Sequence, residues 1–277
     1  MSQSSRKSGT PERSDRITVY RGGNTESTPY DKAYAWTVDI NIAYSYAISR
    51  GNGPGYLASG VIDRSDIIDI SRNIYDMGIF VDPGCVKDVE CIEIYGSSFL
   101  SEHKADVMPI YDEYSRKIRG LEFAADLGGH DAAHECRVLF LALLIADLLK
   151  LDLSDKKILA LSAMYHDSGR TNEAVDDDHG RYGRKVYESS VSRPDPIVSF
   201  ICEYHCLNDM HASQVINSDP LLSRERDRVG LLYAIFKDAD ALDRVRFGVY
   251  GLDLNYLRIG VSRQLGLVAR LLLEQTV

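Results

Sequence analysis

The pattern of this chain changes once, near residue 100, and that change limits the folds open to it. Before it, Ile17-Thr18-Val19-Tyr20, Tyr56 to Ile62, Ile67 to Ile70 and Val89 to Tyr95 are β-branched runs bounded by Gly, Pro and Asp, as in short strands. A Gly22-Gly23 pair reads as the turn that ends the first of them. One helix fits among them, Asp39 to Arg50, with Asp39 as N-cap and Ile42, Ala43, Tyr46 and Ala47 turned inward. After the change, helical patterns dominate: Asp131 to Leu149, Ser154 to His166, His179 to Ser189, Pro194 to Cys206, Ser223 to Phe247 and Leu257 to Glu274, with Tyr114 to Leu127 as one more. Ser154 is the expected N-cap of its helix, Gly169 follows that helix, and Pro194 stands in a first turn. Strands followed by a run of helices predict an α+β fold. A small strand-rich domain is expected over residues 16–105 and an all-α bundle over 112–277, joined through the polar stretch Ser97 to Asp112 with its Pro109. Residues 1–15, rich in Ser, Arg, Lys and Pro, are expected to form a disordered tail.

Composition narrows the partners. The chain has 277 residues and 44% apolar content, enough for a substantial core. Its 32 basic against 41 acidic residues leave a net charge of −9, which gains little from counterion release on nucleic acid but permits a local basic pocket for a small phosphorylated ligand. The most apolar segment, Val138 to Leu149, is too short to span a bilayer and is flanked by Glu135, Arg137 and Lys150, so a membrane partner is not expected. Five cysteines, an odd count, together with no stretch resembling a secretory signal, predict free thiols in the cytoplasm.

Six of the seven histidines lie after residue 129. His134 falls on the first long helix, His166 beside Asp167, His179 after the acidic run Asp176-Asp177-Asp178, and His205 near the end of a later helix. A further carboxylate, Asp240, sits in Lys237-Asp238-Ala239-Asp240-Ala241-Leu242-Asp243. A single His on an apolar helix is usually a satisfied core or surface group. A whole series on successive helices, left as unrelated buried polar groups, would be costly, which favours a metal site.

Read in order, His134-Glu135-Cys136-Arg137-Val138, Ala163-Met164-Tyr165-His166-Asp167-Ser168-Gly169-Arg170, Asp178-His179-Gly180, Glu203-Tyr204-His205 and Ala239-Asp240-Ala241-Leu242 resemble the signature of the HD-domain superfamily of metal-dependent phosphohydrolases. The resemblance covers residues 115–250. It implies that His134, His166, Asp167 and Asp240 hold one divalent ion (Mn, Fe, Mg, Co, Ni or Zn), with Asp167 bridging to a second completed by His179 and His205. Two such ions, about 3.5–4 Å apart, would generate a hydroxide nucleophile and stabilise an in-line displacement at phosphorus. Asp167 and His166 are then catalytic, and Arg170 is placed like the residue that clamps phosphate. Either Asp238 or Asp240 could close the series, and the Ala-Asp-x-Leu context of the family favours Asp240. Cys202 and Cys206 share a helix face near His205, which invites a zinc reading, but two such cysteines are more often apolar fillers. Arg244 and Arg246 read as ion-paired.

In the first part of the chain, Val19-Tyr20-Arg21-Gly22-Gly23, Ala35-Trp36-Thr37 with Ala43-Tyr44, and Asp88-Val89-Glu90-Cys91-Ile92 resemble the Arg–Ser/Thr–Glu pattern of ADP-ribosyltransferase-like folds. That resemblance implies NAD or an ADP-ribose derivative as ligand, with Arg21 on the phosphates, Thr37 ordering the site and Glu90 on the ribose. A structural domain with Arg21 and Glu90 as surface charges is an equal alternative. The leading expectation is therefore hydrolysis of a nucleotide or nucleotide-derived phosphate ester. Its rivals are an NAD-using transferase with a regulatory helical domain, and a non-catalytic sensor that only binds ligand.

Overall fold

The computed structural model of the chain describes residues 15–49, 51–73, 77–121, 131–171, 176–248 and 250–275. Most of the expected tail, residues 1–14, lies outside them, as do residues 122–127 of the expected helix Tyr114 to Leu127. The fold is α+β: an antiparallel six-stranded sheet followed by helices.

The sheet comprises β1 (Arg16–Asn24), β2 (Ala35–Thr37), β3 (Gly55–Asp63), β4 (Ile67–Ile70), β5 (Gly78–Val81) and β6 (Lys87–Ile94), in the order β4-β5-β2-β1-β3-β6. Gly22 and Gly23, expected as a turn, instead continue β1 in register with Leu57 and Tyr56 of β3. Their lack of a side chain serves close packing: a Cβ on Gly22 would stand only 1.7 Å from the carbonyl oxygen of Ala43. That carbonyl belongs to α1 (Ile40–Ile48), which the Asp39 carboxylate caps as expected, at 2.8 Å from the Asn41 N–H. The buried face of α1 is Ala43, Tyr44, Ala47 and Ile48, whereas Tyr46, expected inward, is 47% exposed. Tyr44 goes in because its hydroxyl finds partners there, donating to Arg263 O at 2.7 Å and accepting from Gly266 N–H at 3.0 Å.

The helices are α2 (Ser97–Arg119), α3 (Ala132–Leu148), α4 (Leu153–Tyr165), α5 (His179–Ser190), α6 (Pro196–Tyr204), α7 (Asp209–Ser218), α8 (Arg226–Asp243) and α9 (Gly266–Glu274). Several differ from the sequence expectation. Pro109 does not break the chain, and α2 runs straight through it. A helix-interior proline costs about 3 kcal/mol. Here Pro109 is exposed, while Leu100, Val107, Tyr111, Tyr114 and Ile118 bury one continuous stripe that outweighs it. Asp152 rather than Ser154 caps α4, accepting from Asp155 N–H at 2.9 Å. Pro196, not Pro194, occupies the first turn of α6, behind Asp195. The segment expected as one helix from Ser223 to Phe247 is α8 flanked by 3-10 turns at Leu222–Glu225 and Arg244–Phe247. The helix expected from Leu257 is α9 alone, preceded by the 3-10 turns Leu254–Tyr256 and Gly260–Gln264, and α7 had no sequence signal.

α3 is the central helix: every residue from Val138 to Ala146 is buried. One hydrophobic core joins it to α2, α4, α6, α8 and α9 and continues into Tyr44, Leu57 and Ile94 of the sheet layer. A second cluster, Val19, Trp36, Ala58, Ile62, Ile79 and Val81, lies within the sheet layer itself. Among the described residues no helix is long and apolar enough to cross a membrane, and no disulfide joins the five cysteines.

Candidate metal centre

Four helix ends and one helix interior bring the histidines and carboxylates of the bundle together. His134 lies in the first turn of α3, whose N-cap, Asp131, accepts from His134 N–H at 2.9 Å. His166 caps the end of α4 and Asp167 follows it. His179 opens α5, His205 caps the end of α6, and Asp240 lies within α8. α5 can approach so closely because Gly183 has no side chain: a Cβ there would stand 2.3 Å from His166 O.

Each ring has its Nδ1 committed to an acceptor. The Nδ1 of His134 meets Asp243 Oδ2 at 2.8 Å, that of His166 meets Ala163 O at 3.1 Å, that of His205 meets Cys202 O at 2.8 Å, and that of His179 meets Asp176 O. A carbonyl oxygen only accepts, so His166, His179 and His205 each carry a proton on Nδ1 and turn Nε2 to the interior. All four Nε2 atoms face Asp167. Its Oδ1 stands 3.3 Å from His179 Nε2 and 3.4 Å from His205 Nε2, and its Oδ2 stands 3.8 Å from His134 Nε2 and 3.7 Å from His166 Nε2. The two oxygens of one carboxylate thus serve two different pairs of imidazoles. Asp240 Oδ1 lies 3.5 Å from His134 Nε2.

Three features fit a cation in this pocket. His166 Nε2 is fully buried with no hydrogen-bond partner. The Nε2 atoms of His179 and His205 are 3.0 Å apart and both face Asp167 Oδ1, so a single ion could meet both. Donor separations of this size suit ligands around an ion bound at about 2.0–2.2 Å. The protonation states suit ligation as well. Burial holds His166 down to about 3, and burial followed by the His205 charge holds His179 below its ordinary value, so both rings are neutral at neutral pH. Burial works to raise Asp240, but His134, His166 and His205 outweigh it and keep it below the usual carboxylate range.

Asp238 faces elsewhere. Its carboxylate accepts from Arg258 N–H at 2.9 Å and Ile259 N–H at 2.7 Å, fixing the segment after α8. Asp240 is the one that turns to the histidines. At 34% side-chain exposure, it is also the most open of these residues and marks the mouth of the site. Arg170 is only 8% exposed, with Nη1 3.9 Å from Asp167 Oδ1. The acidic run before His179 supports it through the Asp176 backbone carbonyl, while the Asp178 carboxylate pairs with Arg181 at 3.2 Å.

Sequence reasoning missed three residues. Asp243 is fully buried, orients His134, and is itself held by Arg137 Nε at 2.5 Å, Arg137 Nη2 at 3.0 Å and Arg246 Nη1 at 3.1 Å. The i, i+3 spacings Asp240–Asp243 and His134–Arg137 are the signal that could have found it. Glu135, read as a flanking charge, is fully buried, and neither carboxyl oxygen has a hydrogen-bond partner. Burial first, then Asp167, Asp131 and Asp240, pushes it well above the ordinary value. Cys206 joins the cluster of His179 and His205, whereas Cys202 is a buried filler beside Ser162 O. Arg246 is ion-paired, as expected from the sequence, and Arg244 donates to Gly251 O at 3.1 Å.

The three N-terminal residues are not brought together. A cavity of about 320 Å³ is lined by Arg21 and Thr37 together with Tyr20, Trp36, Tyr46 and Phe80, and Glu90 does not reach it. In the register, Thr37, Tyr20, Ser59 and Glu90 form one cross-strand row, so Glu90 lies three strands from Thr37, about 14 Å at 4.8 Å per strand. Arg21 pairs with Ala58 and so points to the opposite face from that row. Its guanidinium donates to Ala35 O at 2.6 Å, Thr28 O at 3.2 Å and Tyr56 Oη at 3.3 Å.

Comparison with protein-family models, with curated proteins and with solved structures returns no match.

Proposed function

We propose that the protein is a metal-dependent phosphohydrolase, an HD-domain-like enzyme acting on a nucleotide or nucleotide-derived phosphate ester. One observation carries the reading: buried Asp167 turns each of its oxygens to a separate pair of imidazoles. His134, His166, Asp167 and Asp240 are the residues to hold one divalent ion, and Asp167, His179 and His205 a second. Such ions supply Lewis acidity toward a phosphoryl oxygen and toward water. The chain's own residues do the rest. Asp243 holds the Nδ1 of His134 and so aims Nε2 toward Asp167 and Asp240. Asp240, at the open side, is where an ester oxygen would approach. Arg170 offers the charge and the planar fork that suit a phosphate beside Asp167.

A metal-supplemented screen of mononucleotides, cyclic nucleotides and other phosphate esters tests the reading, with phosphate or nucleoside products quantified. The expected outcome is release that depends on added metal and is lost in Asp167→Ala. A metal-loaded protein that cleaves no phosphate ester would overturn it. The second reading, NAD or an ADP-ribose derivative in the N-terminal cavity, draws on Arg21 and Thr37 lining that cavity, while Glu90 stands outside it. Including NAD in the same screen separates the two readings.

A further inference from the structure

The pocket between α5 and α6 holds a soft donor that the phosphate-ester chemistry above does not use. Cys206 directly follows His205, and one ligand atom each from Cys206, His179 and His205 lie within 4.8 Å of one another. Its Sγ approaches Asp177 O at 3.5 Å, just before α5. Two observations independent of the cysteine call for a cation here. The Nε2 atoms of His179 and His205 converge to 3.0 Å, each ring having its Nδ1 on a backbone carbonyl and its Nε2 toward Asp167 Oδ1. From the far side of the shared Asp167, the fully buried His166 directs an Nε2 with no hydrogen-bond partner to the same carboxylate, 3.7 Å away.

We propose that Cys206 is a ligand of the ion held by His179, His205 and Asp167 Oδ1. The inference rests on the metal-dependent reading and deepens it. The two positions along Asp167 then differ in kind. The His134–His166 side offers only nitrogen and oxygen, whereas the His179–His205 side offers two nitrogens, one oxygen and one sulfur. Thiolate selects zinc-like ions, Zn²⁺, Co²⁺ or Fe²⁺, over Mg²⁺, which prefers an all-oxygen shell. Loading releases the thiol proton to solvent, and the thiolate charge is offset by the ion.

The test is a Co²⁺ titration of the metal-free full chain, read by absorption. The expected result is a sulfur-to-cobalt charge-transfer band in the near ultraviolet, lost in Cys206→Ser, which still takes up Co²⁺ on the other side of Asp167. Co²⁺ binding without that band, or a band that persists in Cys206→Ser, overturns the proposal and leaves the metal-dependent reading standing. No uptake by either protein overturns both. Should Cys206→Ser fold poorly, the wild-type chain answers the same question through alkylation of Cys206 by iodoacetamide, followed by peptide mass. Zn²⁺ is expected to protect Cys206 while Mg²⁺ does not, and equal labelling under Zn²⁺ and Mg²⁺ counts against it.

Discussion

Arg21 in the sheet and the imidazoles around Asp167 in the bundle both place polar groups at the edge of a hydrophobic core, but they satisfy them differently. Arg21 gives its guanidinium to Ala35 O, Thr28 O and Tyr56 Oη, so it ties the loop before β2 to the sheet. The imidazoles give their outer nitrogens to fixed acceptors and turn the inner ones toward a single carboxylate. Burying a polar group without a partner costs about 1–3 kcal/mol. His166 Nε2 carries that cost in the bundle, and a cation at Asp167 would repay it. The sheet site resembles architecture; the bundle site resembles machinery.

The largest expected effect follows from Asp167, the residue both sides share. Asp167→Ala is expected to lose metal content at both positions and all hydrolysis while far-ultraviolet circular dichroism stays unchanged. Retention of full metal content would dissolve the contrast between the two regions. Next come the two carboxylates that act at one remove. Asp243→Asn should weaken metal binding by about 10–100-fold, because His134 loses the partner that fixes its tautomer. Asp238→Ala should leave metal content unchanged and instead cost about 1–3 kcal/mol for each amide it strands at Arg258 and Ile259, measured by chemical denaturation. If the two variants exchanged phenotypes, Asp238 rather than Asp243 would belong to the site.

A smaller effect concerns pH. The folded chain holds His166 at about 3, against an ordinary value of 6.5. As pH falls from about 6.5 toward about 3, the unfolded imidazole takes up a proton that the folded one refuses, so the metal-free protein loses stability across that window. Melting curves of the metal-free protein should therefore shift down with falling pH, and less steeply in His166→Gln. Arg170→Ala is expected to keep its metal and lower kcat/KM by about 10–100-fold, the worth of one charged hydrogen bond to phosphate. The smallest effect belongs to the sheet: Glu90→Gln, exposed on β6, should change stability by no more than about 0.5 kcal/mol and leave hydrolysis intact.

How much of this is legible in the sequence depends on whether the information is local. The histidine series with Asp167 is legible because each member stands in a short motif at a helix boundary, where caps and glycines fix the direction of the side chain. The α+β order is legible for the same reason, since strand and helix periods differ within a few residues. The continuity of α2 through Pro109 is not, because it is decided by what Leu100, Val107, Tyr111, Tyr114 and Ile118 pack against. The role of Asp243 is not either, because its partners Arg137 and His134 lie more than a hundred residues away. The Arg21–Thr37–Glu90 set fails for a third reason: strand register sends Arg21 to one face and leaves Glu90 three strands away on the other, and no short motif encodes register.

If Asp167 joins two cation positions, anomalous diffraction from crystals of the full chain grown with Co²⁺ shows two peaks, one between Asp167 Oδ1 and the His179–His205 pair and one between Oδ2 and the His134–His166 pair. Crystals with no anomalous peak within bonding reach of Asp167, and with His179 and His205 still in direct contact, would contradict it.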